Sequence, residues 1–493
     1  MTPADPETKT SQKRSRFERL LGVFAEVRAG EAAEVLLMFA NIFLILTAYY
    51  ILKVVREALT IGGVQLFGLG GDEIKAYLPA VMMVLLLAIV PLYGKLASAV
   101  SRIRLLNSTT AFVIVTLVLF WLWGNTTGIG TAIGLSFYVY LGIMNVFLIA
   151  QFWSFANDIY SEAQGKRLFA IIATGQSLGA VLGPWIAEQG ADQVFSLLLV
   201  SAAIFCFCIL LYNVVDRRST TNHGSLDDAK NRGEEPLDKE GGFQLVFQSR
   251  YLFLIALMIL VTNIVNTTGE YILSNAAKAH SEEIIPDLSA AQIREADATA
   301  EAMLQNAEAK NLEEARLRAR DNKLRLLRSE EIGRFYGRFF FWVNFLGVTI
   351  QMFAVSRILK FFGVRAALFF LPLISFGGYA AIALTGALGV LRLAKTAENS
   401  VDYSLQNTVK QALFLPTSRE AKYKAKAAID TFFVRFGDTV SAALIFAGLH
   451  FLHFSARSFA WLNIALVLAW VALNVGIARE HKKMSHDEEA EED

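Results

Sequence analysis

Cysteine is almost missing: the 493 residues hold two, Cys206 and Cys208, in an apolar stretch with no histidine beside them. Residues two apart on a helix point to different sides, so the pair reads as packing, and a disulfide framework or thiolate metal site is excluded. The six histidines lie scattered over connections, the C-terminal segment and the end of one apolar run, without the spacing of metal ligands. No phosphate-binding GxxxxGK loop followed by Ser or Thr occurs, and the GxSxG string GQSLG at 175–179 lies inside an apolar run, not on an elbow between a strand and a helix. No ATPase or hydrolase module is therefore expected, and no enzyme activity, cofactor or bound metal. Charge of one sign is lacking as well, with 46 Lys and Arg against 45 Asp and Glu, and no nucleic-acid partner is expected.

What is present is apolar. Hydrophobic residues make up 54% of the chain and charged ones 18%, and the apolar residues cluster in runs of about 20, the length a helix needs to cross a hydrocarbon core roughly 30 Å thick. The runs predict twelve membrane spans near 34–55, 76–98, 106–124, 131–156, 168–190, 194–215, 250–275, 336–360, 365–386, 388–415, 427–452 and 458–478. Lys and Arg concentrate in segment 1–33, in the connections after the even-numbered spans and in the tail (Lys13, Arg14, Arg102, Arg104, Lys166, Arg167, Arg217, Arg218, Arg357, Lys360, Lys422, Lys424, Lys482, Lys483). That asymmetry predicts cytoplasmic termini. Phe17, Leu20, Leu21 and Phe24 give the N-terminal segment an amphipathic stretch, read as an interfacial helix rather than a cleavable signal.

The chain divides in two. Segment 216–249 is charged and without apolar periodicity, a flexible cytoplasmic linker between six-span halves at 34–215 and 250–478, with an acidic tail at 479–493. EAQGKRLFAI (162–171) and EAKYKAKAAI (420–429) share five of ten residues at an offset of 258, and YYILK (49–53) resembles EYILS (270–274) at an offset of 221. The difference of 37 between the offsets is accounted for by an insertion after the seventh span. Residues 289–331, rich in Ala, Glu, Arg and Leu without Gly or Pro, have the content of a solvated helix or helical hairpin within an outward insertion at about 280–332. Two readings stay open for it, a spacer or a docking surface for a protein partner. Two six-helix halves joined by a long loop describe the major facilitator architecture, an all-α membrane fold with the solute site between the halves. Gly175, Gly179 and Gly183 lie four apart on one face of the fifth span, as close helix packing requires.

Ionisable residues inside a bilayer mark wet paths or partner charges. Tyr49, Lys53 and Arg56, followed by Glu57, end the first span; Asn263, Asn266, Thr267 and Glu270 mark the seventh. Asn145 and Gln151 lie on the fourth, and Asp430, Arg435 and Asp438 on the eleventh. Arg392, Lys395, Asn399, Asp402, Gln406 and Lys410 recur at helical spacing on the tenth and predict one continuous polar stripe. Arg435 and Asp438, three apart, are expected to bond each other. Spans one, four, seven and ten thus line a water-filled path, while Leu405, Val409, Leu413 and Leu415 pack or meet lipid.

LKVVREAL (52–59), FWSFANDIYSEAQGKRLF (152–169) and YSLQNTVKQALFLPTSREAKYKAKAAID (403–430) resemble segments of the ATP:ADP antiporter family of plastids and intracellular bacteria. The resemblance implies exchange of nucleoside triphosphate for diphosphate, with cations on helices one and ten and a carboxylate on helix seven contributing. Arg56 falls where the family has Lys, Glu270 near its helix-seven Glu, and Lys410 at the Lys of its helix-ten motif. Asp402 stands where the family usually has Lys, Gln411 where it has Glu, and Leu141 where an acidic residue is expected. Tyr49, Lys53, Arg56, Glu270, Asp402, Gln406 and Lys410 are the candidate solute contacts. Glu57, Asp158, Arg167, Arg435 and Asp438 are candidates for gating or coupling. Two other functions remain open: proton-coupled transport of a different solute through Glu57 or Glu270, and a membrane partner protein that transports nothing. Membrane lipid and, on the first reading, a nucleotide are the implied partners.

Overall fold

A computed structural model of the chain describes residues 31–99, 101–160, 162–222, 242–305, 311–414, 416–418, 421 and 425–492. The N-terminal interfacial helix, the middle of the 216–249 linker and Lys422 and Lys424 lie outside them. A chain this apolar must satisfy its backbone within each span, and helices do so. Helical passes lie at all twelve expected positions. In the first half they are Ala32–Gly63, Gly71–Ala99, Arg102–Thr127, Thr131–Ile159, Glu162–Gln189 and Ser196–Asn222. In the second they are Arg250–Ile284, the C-terminal part of Leu312–Phe353, Phe370–Thr385, the compound Leu388–Ala412, the compound Lys426–His450, and Ala456–Glu492. Among the described residues, seven are long and apolar enough alone to cross a membrane, eight if Leu312–Phe353 and Val355–Ala367 count as one span. The second, fifth, ninth and tenth fall short; the ninth has only 16 residues, and a helix whose polar face meets protein or water has no need to be apolar all round.

Three departures from the expected spans have local causes. The eighth helix ends at Phe353 and does not continue to 360; Val355–Ala367 turns 75° aside. Arg357, Lys360 and Arg365 on this turned segment, with the exposed rings of Phe361 and Phe362, give it the make-up of an interfacial helix. The tenth helix is interrupted by a π-helical turn at Asp402–Gln406, and the eleventh by another at Ile429–Phe433. A two-residue β-hairpin turn (Gln65–Leu66 with Leu69–Gly70) joins the first two helices. Its central Phe67 and Gly68 both have positive φ, 54° and 80°, as the tight primed turn demands.

The insertion is a helical hairpin, as its composition predicts. Ala290–Gln305 packs on the start of Leu312–Phe353 through Ala296, Ala300, Ala315 and Ala319. Arg320 grips Asp297 bidentately at 2.8 and 2.7 Å, and Lys323 reaches Glu295 at 2.8 Å. The second arm runs unbroken into the eighth span, 42 residues in all, or about 63 Å at 1.5 Å per residue. Arg328 donates to the carbonyl of Ile285 at 3.0 Å, and Ser329 presses on Gly62, where an added Cβ would lie 2.1 Å from its Oγ. The hairpin is thereby seated on the first and seventh helices.

The glycine face of the fifth helix packs against the first. A Cβ at Gly175, Gly179 or Gly183 would come within 2.6, 2.3 and 2.5 Å of the carbonyl oxygens of Phe39, Phe43 and Thr47, so only hydrogen allows the backbones to close. Gly337 plays the same part where the eighth helix meets the fifth at Glu188.

Candidate functional site

Two cavities open between the first six helices and the last six. The smaller, about 200 Å³, lies toward the insertion side and is lined by Lys53, Arg56, Glu57, Lys75, Glu270 and Phe340 among others. The larger, about 500 Å³, lies toward the side of the chain termini and is lined by Tyr50, Gln176, Asn344, Asp402, Asn407 and Lys410 among others. Tyr403 borders both.

The smaller cavity is built on a ladder of alternating charge. Arg56 reaches Glu57 at 2.5 Å and covers the ring of Tyr138 with its guanidinium, 4.7 Å from the centroid. Lys75 reaches the other oxygen of Glu57 at 2.7 Å and lies 4.0 Å from Glu270. Asn399 donates to Glu270 at 3.0 Å, and Lys395 stands between Glu270 at 4.0 Å and Glu398 at 3.2 Å. Tyr379 closes the ladder by donating to Glu398 at 3.1 Å. Helices one, two, seven, ten and nine are thus linked by charges that neutralise one another. Lys53 stands apart: its ammonium lies 4.1 Å from the centroid of Phe340 and 5.2 Å from that of Tyr50, and among the described residues it has no carboxylate partner. Lys410 in the larger cavity likewise has none.

Lys53, Arg56, Glu57 and Glu270 therefore come together, and Asp402 and Lys410 face the second cavity. Gln406 lines neither: it is buried, and among the described residues neither atom of its amide has a partner. The π turn is the reason. One residue is added to the turn, so the exposed face passes from Asp402 and Tyr403 to Asn407 and Thr408, and the expected continuous stripe is broken. Tyr49 packs edge-on against Tyr50, and Tyr50 rather than Tyr49 faces the cavity. Arg435 and Asp438 bond at 3.4 Å as expected, but Asn263 and Thr267 also donate to Asp438, at 2.7 and 3.1 Å, which ties helix eleven to helix seven. Asp158 is exposed on the terminal side, 3.7 Å from Arg102, which holds Asp216 at 2.9 Å. The side chain of Arg167 lies outside the described residues. Helix four lines the smaller cavity through Tyr138, not through Asn145 or Gln151.

Lys75 escaped the sequence reading because it sits among Asp72 and Glu73, where a connection was expected. Its three-residue step from Asp72 and four-residue step to Pro79, which also line the cavity, were the available signal. Helices five and eight contribute amides, Gln176 and Asn344, whose isolated polar character gives no pattern.

Among the described residues, the ion pairs that join the ends of the two sets of six helices lie on the insertion side. Lys278 meets Asp72 at 2.8 Å and Arg338 meets Glu188 at 2.9 Å; Arg334 also contacts Asp192, and the ring of His450 lies in hydrogen-bond contact with Glu73 at 2.7 Å. This side is closed, and the larger cavity lies beyond it toward the termini. Partial burial and the neighbouring Asp192 push the Glu330 carboxyl up to about 7, against the pull of Lys323 and Arg334. Such a group binds more protons folded than unfolded, so its stabilising share is whole below about pH 4.5 and is lost as pH rises through about 7. Glu330→Gln should melt with wild type near pH 4.5 and above it near pH 8. A constant difference in melting temperature across that range would contradict the assignment.

Comparison with known proteins agrees with this architecture. The chain is similar in fold to a bacterial homologue of the iron transporter ferroportin in the inward-facing state (TM-score 0.57, 13% identity, 90% of this chain and 98% of that one). It is also similar to a POT family transporter in complex with 5-aminolevulinic acid (TM-score 0.57, 12% identity, 91% and 96%). The fold is the major facilitator type. ADP,ATP carrier protein 1 of Chlamydia trachomatis is 24% identical over 344 residues, 62% of this chain and 56% of the carrier. The Rickettsia bellii protein of the same name is 21% identical over 394 residues, 72% and 70%. The matched region thus spans little more than half of the chlamydial carrier. The model of the TLC ATP/ADP transporter family matches residues 136–280 and 330–481, leaving out the hairpin insertion between them. With more than half of its length matched, on both sides of that insertion, the chain belongs to the TLC ATP/ADP transporter family.

Proposed function

We propose that the protein exchanges nucleoside triphosphate for diphosphate across a bacterial inner membrane by alternating access. The observation that carries this is a pair of lysines, Lys53 and Lys410, without carboxylate partners among the described residues, in cavities that meet at Tyr403. A cation left unpaired away from bulk water is expensive unless an anion is to arrive. Phosphate supplies that anion, and the rings of Tyr50 and Tyr403 supply faces for a base. The larger cavity, about 500 Å³, is of the size that holds small-molecule ligands. The Lys and Arg asymmetry supports cytoplasmic termini; the closed side is then external, and Asp72, Glu73, Glu188 and Asp192 with their partners form the outer gate.

Nucleotide binding is tested by melting the detergent-solubilised protein with ATP, ADP, GTP or GDP. A ligand at a hundredfold its Kd adds about 2.7 kcal/mol to stability, so the expected result is a concentration-dependent rise in melting temperature. No rise with any nucleotide would remove the reading. Labelling from outside a cysteine placed at residue 301, on the hairpin, tests the orientation; protection of that site would overturn it.

A further inference from the structure

We infer that the larger cavity selects guanine over adenine through the carboxylate of Asp402; the inference rests on the nucleotide reading above. Asp402 begins the π turn and opens into the cavity, and among the described residues its carboxylate accepts no hydrogen bond and forms no ion pair. The cationic neighbours on the same compound helix, Lys395 and Lys410, are each about two turns away. Nearer neighbours on the cavity wall are the ring of Tyr403 and the amide of Asn407, and Tyr50 brings a second ring from helix one.

An ionised carboxylate can only accept hydrogen bonds, and it accepts two in parallel. Among the common bases only guanine offers two adjacent donors on one edge, N1–H and the 2-amino group. Adenine and cytosine each place one amino donor beside an acceptor nitrogen, whose lone pair faces the second carboxylate oxygen. Uracil places a single N–H between two carbonyls. Guanine therefore satisfies both oxygens of Asp402, and the others leave one against a lone pair. Asn407 supplies an amide donor for the guanine 6-carbonyl, and the tyrosine faces accept any base without choosing. Selection thus falls to the carboxylate.

An asparagine amide has the opposite pattern, one donor and one acceptor, which pairs bidentately with adenine. The full-length protein in proteoliposomes, wild type and Asp402→Asn, is assayed for labelled nucleoside triphosphate uptake in competition with unlabelled GTP and ATP. For wild type, GTP is expected to compete at a concentration at least tenfold below that of ATP; in Asp402→Asn the ratio should fall below one. Asp402→Ala should lose the guanine preference without gaining one for adenine. Equal or better competition by ATP in wild type overturns the inference. So does an Asp402→Asn variant that shifts both nucleotides by the same factor, or whose only change is in pH dependence. Each of these outcomes leaves nucleotide transport standing, whereas competition by neither nucleotide removes that reading together with the inference.

Discussion

Lys395→Ala should lower stability by about 3–5 kcal/mol, the usual cost of removing one partner of a buried ion pair. Lys395 is completely buried, 3.2 Å from Glu398 and 4.0 Å from Glu270, and its ammonium also donates to Asn266 at 3.2 Å. Without it the buried Glu398 keeps Tyr379 as a partner but loses its cation, and Glu270 is left with Lys75. The pair itself need not be stabilising, since two charges lose hydration when buried. Lys395→Met combined with Glu398→Leu should therefore recover most of the loss. Melting of the three proteins in one detergent checks both parts, and a single variant within about 1 kcal/mol of wild type would show that the ladder is not held by its charges.

The second large effect is on affinity. A charge-assisted contact is worth about 1.5–3 kcal/mol, roughly a 10- to 100-fold change in Kd. Lys53→Gln should weaken a triphosphate by that amount, a diphosphate less and a nucleoside least, because phosphate charge is what loses its partner. Arg56→Gln should cost less than Lys53→Gln. Arg56 is already held by Glu57 and stacked on Tyr138, whereas among the described residues Lys53 meets rings and no carboxylate. Glu270→Gln should slow exchange with a smaller change in affinity, since that carboxylate is bound into the ladder by Lys75, Lys395 and Asn399. Equal losses for triphosphate, diphosphate and nucleoside in Lys53→Gln would mean that the lysine shapes the cavity and contacts no phosphate.

The spans were legible in the sequence because hydrocarbon imposes its thickness on every helix. The hairpin was legible because Ala, Arg and Glu at helical spacing leave few alternatives. The charges of the site were legible for the same reason that they are costly in a membrane. What was hidden lies in the backbone and in neighbours distant in the chain. A regular 3.6-residue count carries the polar face of helix ten from Asp402 to Gln406. The π turn moves it to Asn407, and nothing in DYSLQ announces the extra residue. Tyr49 and Tyr50 are indistinguishable by type, and only the packing of helix one turns the second toward the cavity. Lys75 reads as a connection charge until its helix is seen to bring it to Glu57 and Glu270, and the pairing of Asp438 with Asn263 depends on how helices seven and eleven meet.

Counter-exchange in proteoliposomes tests the function most directly. Vesicles containing the purified protein are loaded with unlabelled nucleoside diphosphate or left empty, and entry of labelled GTP and ATP is followed. The expected result is uptake that requires nucleotide inside, is insensitive to a proton gradient, and falls sharply in Lys53→Gln. Uptake that proceeds equally into empty vesicles, or that follows the proton gradient and ignores the internal nucleotide, would contradict exchange.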